Sequence, residues 1–316
     1  MYPYFAKIVT MKNYMADTEK ELHFAKEGPF FHINSPENFG TIFRNREDFE
    51  NGLLIFALCN KQLFKIRTLA FELMNNHFHA LLKCTEQEAE DFFSIFAKCL
   101  HRYCSDTGNY LDWNNFSCHT TRVTTLENLK NVIAYIHRNG AMVNPQYTPY
   151  NYPWGSNRFF FNYDAIKLYE IAQRRMQNSR IRKITHSRQF DSEKDIYTVG
   201  DVVSPLCFID VQYAEYFFRD ARQYFFKISR DVENFKSIAE MIGESVYYVD
   251  DELFSIAYKI SLERFGNAKI SQLPPMEKIE LARTLHCGYN AGFKQVQRII
   301  HLDEVTLRQI FKSADG

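Results

Sequence analysis

Two histidines separated by a single phenylalanine, His77 and His79, sit in the apolar run "LAFELMNNHFHALLKC" at residues 69–84. In a strand, side chains two positions apart share a face, so both imidazoles project together while Phe78 turns into the core. Two imidazoles on one face can ligate one metal ion, although a pair of this kind is more often hydrogen-bonded at a surface. In an apolar strand, directly after Asn75-Asn76, desolvated imidazoles need a partner. A second group of reactive residues follows in "TTLENLKNVIAYIHRNGAMV". Its spacing predicts a helix with Leu126, Leu129, Ile133 and Ile136 on the apolar side and Asn128, Asn131, Tyr135, Arg138 and Asn139 on the other, Tyr135 and Asn139 lying one turn apart. A phenol with its free pKa near 10 is a poor nucleophile. A metal that polarises a neighbouring phosphodiester makes phenolate attack feasible, and two imidazoles with an amide oxygen leave that ion positions for phosphate oxygens.

The elements that must position these groups can be read from periodicity. Residues 27–84 read as strand, helix and strand pair: "PFFHINSPENFG" is aromatic and extended, "REDFENGLLIFALCNK" has near-helical spacing, and "LFKIRTLAFELMNNHFHALLKC" runs apolar and alternating. A helical stripe returns at Phe92, Phe93, Ile95, Phe96, Cys99, Leu100 and Tyr103. "NNFSCHTTRVT" is short and β-compatible. Thr124, three residues before Glu127, has capping-box spacing for the Tyr135 helix, and Asn139-Gly140 reads as its terminator. Strands and helices therefore alternate with loops too short for repeated crossovers. The expected fold is α+β: a ferredoxin-like antiparallel sheet with helices on one face in the N-terminal half, followed by an all-α C-terminal region.

The chain has 316 residues, 46% of them hydrophobic, with 29 Phe and 19 Tyr, which is ample for a core. No apolar run reaches the length of a membrane span and the first residues lack the pattern of a signal peptide, so a cytoplasmic protein without membrane partners is expected. Seven scattered cysteines with no CxxC pair fit reduced thiols. Basic and acidic residues balance at 38 each, so the chain as a whole has no nucleic-acid signature. The charge is uneven, however: "RRMQNSRIRKITHSR" carries Arg174, Arg175, Arg180, Arg182, Lys183 and Arg188 and no acid. This block reads equally as a phosphate-pairing segment and as a solvated linker. The division predicted is a catalytic domain over 1–165, a basic linker over 166–199 and a helical region over 200–316.

"FELMNNHFHALLKC" resembles the His-hydrophobic-His strand of the HUH single-strand DNA transposases, in the branch of the REP-associated tyrosine transposases, where a Met-x-Asn-His-x-His run is typical. "VIAYIHRNGAMV" followed by "YNYPWGSN" looks like that family's catalytic helix and its Tyr-Pro-Trp closure. The two motifs occur in the family's order, and the resemblance covers residues 28–160. It implies that His77 and His79 are metal ligands, Asn139 the third ligand and Tyr135 the nucleophile, with Mg2+ or Mn2+ as the ion. The implied reaction nicks and rejoins single-stranded, hairpin-forming DNA through a 5′-phosphotyrosine intermediate, in a monomer or a homodimer. Two features depart from the family pattern: Gly140 stands where a proline is expected, and "NNFSCHTTRVT" replaces an aromatic, basic segment containing Trp.

The end of the chain, "EKIELARTLHCGYNAGFKQVQRIIHLDEVTLRQIF", resembles the helix-turn-helix tails of longer members of that family. With the motif at about 275–313, residues 293–300 would support and 303–312 would read duplex DNA, offering Thr306, Arg308, Gln309 and Lys312 to a groove, with Arg138 and the basic block as further DNA contacts. A small helical bundle that only packs or dimerises fits the same spacing. Three functions follow from these readings: an active, nucleoid-associated transposase, a domesticated transposase acting as a DNA-binding regulator without turnover, and a replication or mobilisation nickase using the same chemistry.

Overall fold

The computed structural model describes residues 17–37, 39–63, 66–143, 146–185, 196–230, 239 and 248–314. The chain divides into two compact units, Met1–Asp231 and Val232–Gly316. Among the described residues no helix is long and apolar enough to cross a membrane.

The first unit is built on β1 (Phe30–Asn34), β2 (Arg67–Leu73), β3 (Phe78–Lys83) and β4 (His119–Val123), which form one sheet in the order β2-β3-β1-β4 with every neighbouring pair antiparallel. After α1 (Asp17–Glu27), helix α2 (Arg46–Leu58) connects β1 to β2 and α3 (Glu86–Asp106) connects β3 to β4. This is the β-α-β-β-α-β order expected from the sequence. Both connecting helices lie on the face formed by Phe71, Phe78, Ala80 and Leu82. Phe56 of α2 meets Phe71 at 5.5 Å, Phe92 at 5.1 Å and Phe96 at 5.4 Å between ring centroids. α2 starts at Asn45, whose side chain accepts from the Asp48 amide, and α3 at a full capping box between Thr85 and Glu88.

The opposite face of the sheet is covered by α4 (Leu126–Val143), the helix that carries Tyr135. Its N-terminus falls one residue later than the sequence suggested: Thr125, not Thr124, accepts from the Asn128 amide at 3.1 Å. Nor does the helix stop at Asn139-Gly140; it runs on to Val143. Gly140 is there for space. A Cβ built on it would lie 2.4 Å from the Tyr152 ring and 2.5 Å from Glu72 Oε1, so any larger residue, proline included, is excluded by contact. The "YNYPWGSN" segment closes the β2 edge, with the Leu73 amide donating to Trp154 O and the Ser156 amide to Phe71 O.

The described part of the segment expected as a linker is folded into the first unit, and Arg188 lies outside the described residues. α5 (Tyr163–Ala172) leads into β5 (Gln173–Arg175), which pairs antiparallel with β6 (Tyr197–Val199), itself paired with β7 (Val202–Val203); α6 (Asn178–Thr185) intervenes. Charge count conceals the anchors: Met176, Ile181 and Thr185 are buried among the basic residues, and Ile196 is buried after them. α7 (Val211–Tyr216) and α8 (Ala221–Arg230) complete the unit, and α8 lies against α4.

The second unit contains α9 (Asp250–Phe265), α10 (Pro275–Tyr289), α11 (Phe293–Ile300) and α12 (Glu304–Ala314). Leu253, Ala257, Leu281, Leu285, Val296, Ile300, Leu307 and Ile310 are buried in it. α9 ends at Gly266, α10 at Asn290 and α11 at His301, each with positive φ. The turn from α11 to α12 is as short as the sequence predicted.

Candidate functional site

The Asn75-Asn76 pair makes the hairpin turn between β2 and β3, with the Met74 amide donating to His77 O at 2.9 Å. His77 stands at the mouth of β3 and His79 on it, and both imidazoles project onto the α4 face. The ring centroids are 5.0 Å apart at 80°. Register places Glu72, Asn34 and His119 in one row with His79, because Glu72 and Asn34 are its direct partners on β2 and β1 and His119 is the partner of Asn34. From α4, Tyr135 presents its ring to His79 at 5.7 Å and 89°, and Asn139 reaches His79 Nε2 with its side-chain nitrogen at 3.2 Å. His77, His79, Tyr135 and Asn139, which are distant in sequence, therefore meet on one face.

The hydrogen bonds fix the tautomer of His77, and the placement of the Asn139 amide sets that of His79. Asn76 Nδ2 donates to Glu37 O, which directs Oδ1 of the same amide at His77 Nδ1, 2.8 Å away. His77 therefore carries its proton on Nδ1 and keeps a lone pair on Nε2. His79 accepts from Asn139 at Nε2, so its Nδ1–H donates to His32 Nε2 at 3.1 Å. All three imidazoles are held neutral by burial, which pulls His77 down to about 4, His32 to about 3 and His79 well below its ordinary value. Both His77 and His79 thus offer an Nε2 lone pair at neutral pH.

The 3.2 Å between His79 Nε2 and the Asn139 amide is about the spacing of two adjacent ligands at about 2.1 Å around one octahedral ion, and a half-turn of the amide would present its oxygen. The donor chemistry of these residues fits a divalent cation to that extent. Among the described residues, however, no three His, Cys, Asp or Glu side chains are already grouped to hold a metal. Tyr135 is 2% exposed, so its hydroxyl lies beneath the surface in this form.

Sequence reasoning missed two members of this face. His32 follows the same alternation in "FFHIN" that revealed His77 and His79, and it orients His79 through the Nδ1 bond. Glu72, in "LAFEL", is fully buried; neither carboxyl oxygen has a hydrogen bond of normal geometry among the described residues, and burial raises its pKa well above the ordinary carboxylate value, with only the Gly140 amide opposing. It remains protonated well above the pH at which an exposed glutamate ionises.

The residues expected to touch DNA divide into two groups. Arg138 is 2% exposed and thus internal, because α4 is covered by α8 as well as by the sheet. Arg174 and Arg175 on β5 and Arg182 and Lys183 on α6 are exposed. Arg180 donates to Asp201 O, and Arg180 and Lys183 line a cleft that also holds Glu47, Glu50, Asp106 and Asp201, so this surface is of mixed charge. In the second unit Thr306 Oγ1 and its amide bond to Asp303, which caps α12; Arg308 pairs with Glu304 and lies 5.6 Å over the Phe293 ring, and Gln309 is exposed. The side chain of Lys312 lies outside the described residues.

Comparison of the chain with protein-family models, with curated proteins and with solved structures found no match.

Proposed function

We propose that the protein is a metal-dependent tyrosine strand transferase that nicks and rejoins single-stranded, hairpin-forming DNA. The observation that carries this reading is the convergence of Tyr135 and Asn139 on His79. In the proposed reaction the Tyr135 oxygen, having given up its proton to water, attacks a DNA phosphorus. A P–O bond to tyrosine forms as the P–O3′ bond breaks, and the departing 3′-oxygen takes up a proton. A 5′-phosphotyrosine and a free 3′-hydroxyl result, and attack by another 3′-hydroxyl reverses the exchange without a nucleotide cofactor. His77 and His79, with Asn139, would hold Mg2+ or Mn2+, which when bound supplies Lewis-acid polarisation of the phosphate. His32 keeps His79 in the tautomer that ligation requires. The α11–α12 pair would help choose the site on duplex DNA, with Thr306, Arg308 and Gln309 on the reading helix.

A second reading, a DNA-binding regulator that retains the site without turnover, is favoured by the burial of Tyr135. One assay separates the two. Labelled single-stranded hairpins are incubated with manganese and wild type, Tyr135→Phe or His77→Ala, and covalent adducts are resolved under denaturing conditions. The transferase reading expects an adduct with wild type alone. Tight binding without an adduct across a panel of hairpins would leave the regulator.

A further inference from the structure

At the end of the sheet, between the N-terminal half of α2 and the closing segment that follows α4, lies a cavity of about 670 Å³. Its walls combine aromatic rings, among them Phe49, Tyr147, Trp154 and Tyr169, with Arg44, Arg46 and Arg158, and no acidic side chain lines it among the described residues. Trp154 is buried and stacks on Phe49 at 5.0 Å and 9°, whereas Phe49, Tyr147 and Tyr169 are only half buried. Arg44 and Arg46 are engaged by Asp48 and Glu50. Arg158 donates from one terminal nitrogen to Tyr169 Oη at 2.7 Å and from the other to Tyr152 O at 3.5 Å, while its Nε is buried with no hydrogen-bond partner among the described residues.

Volume, rings and guanidinium groups together suit an aromatic heterocycle joined to an anion. The volume is within the range of small-molecule sites, and partly exposed rings beside guanidinium groups are the combination that stacks bases and pairs phosphates. Position narrows the choice. Asn75 lines the cavity two residues before His77, and Tyr152 lines it while its ring packs over Gly140, next to Asn139. We propose that this cavity binds one nucleotide of a single DNA strand, its base against the rings and its phosphate on Arg158 and Arg46, next to the strand's reacting phosphate. The strand as ligand rests on the function proposed above.

The test uses the full chain and needs no turnover. Binding of fluorescent tetranucleotides d(T)4 and d(A)4 is measured for wild type, Tyr147→Ala, Tyr147→Phe and Arg46→Ala, with urea midpoints recorded for each, and 5-iodouracil tetramers are photo-cross-linked to wild type and the attachment mapped. Tyr147→Ala is expected to weaken binding about tenfold, the loss of one stacked base, while Tyr147→Phe retains it. Cross-links are expected at Phe49, Tyr147 or Trp154. Wild-type affinity in Tyr147→Ala, or cross-links at an exposed ring elsewhere such as Tyr110, which is 82% exposed, overturns the proposal. So does dTMP binding as tightly as the tetramer, which would make the site one for a free nucleotide, or competition by inorganic phosphate alone at equal strength. The two proposals fail separately. Cavity cross-links without a hairpin adduct refute the transferase and keep the site, and an adduct with cross-links elsewhere does the reverse.

Discussion

The two faces of the four-stranded sheet are made by alternate residues of the same strands, yet they are stabilised in different ways. One carries Phe71, Phe78, Ala80 and Leu82 under α2 and α3, and its contacts are ring against ring. The other carries His32, Asn34, Glu72 and His79 under α4; hydrogen bonds join His79 to His32 and to Asn139, whereas neither Glu72 oxygen has one of normal geometry among the described residues. Both are almost wholly withdrawn from solvent. Burial without charge costs nothing to the first face, whereas the second has to keep three imidazoles neutral and one carboxyl protonated. The apolar face therefore contributes stability that is indifferent to pH, and the polar face gives some of it up in order to keep lone pairs available.

The largest effect expected from breaking this comparison lies on the apolar face. Phe56→Ala removes a fully buried ring from the aromatic cluster and should lower unfolding free energy by about 3–5 kcal/mol, read from urea denaturation; a loss under 1 kcal/mol would show that the cluster is not the core. Next comes Glu72→Gln. Because the folded-state pKa of Glu72 is raised above 4.5, its favourable contribution is complete below that pH and is lost as pH rises. The variant should match wild type near pH 4 and exceed it by about 1–3 kcal/mol at pH 8; an equal difference at both pH values would mean the carboxyl is not protonated in the fold.

The histidines have the opposite sign. Their folded-state pKa values are depressed below 6.5, so the unfolded chain takes up protons first and stability falls as pH drops from about 6.5 towards about 4. His32→Phe should reduce that slope by up to about 1.4 kcal/mol per pH unit, and an unchanged slope in urea titrations between pH 6.5 and 4.5 would remove His32 from the account. The smallest effect tests whether burial is what matters. Arg308→Ala breaks an exposed pair with Glu304 in the second unit and should cost no more than about 1 kcal/mol by thermal melt.

Local pattern made a large part of the fold legible. The period-two alternation of "AFELMNNHFHALL" put His77 and His79 on one face, and the 3.6-residue period placed the α3, α4, α11 and α12 helices close to where they lie. No local pattern warns of Arg138's burial, since periodicity assigns one apolar stripe to a helix and α4 is covered on two sides, by the sheet and by α8. The basic block reads as a linker or a phosphate-pairing segment for a related reason: the buried Met176 and Ile181 are outnumbered by the exposed Arg174, Arg175, Arg182 and Lys183. His32 was within reach, because the alternation that exposed the histidine pair runs through "FFHIN" as well.

What the sequence determined by itself is the set of reactive groups and the elements that carry them, because alternation, helical period and capping are properties of neighbouring residues. Whether those groups meet was decided only by the tertiary structure. Strand register sets Glu72 and Asn34 beside His79, the packing of α4 across the sheet brings Tyr135 and Asn139 to the same imidazole, and the closeness of Glu72 and Tyr152 leaves room only for glycine at 140. Each of these depends on distances between residues far apart in the chain, and no local pattern encodes such distances.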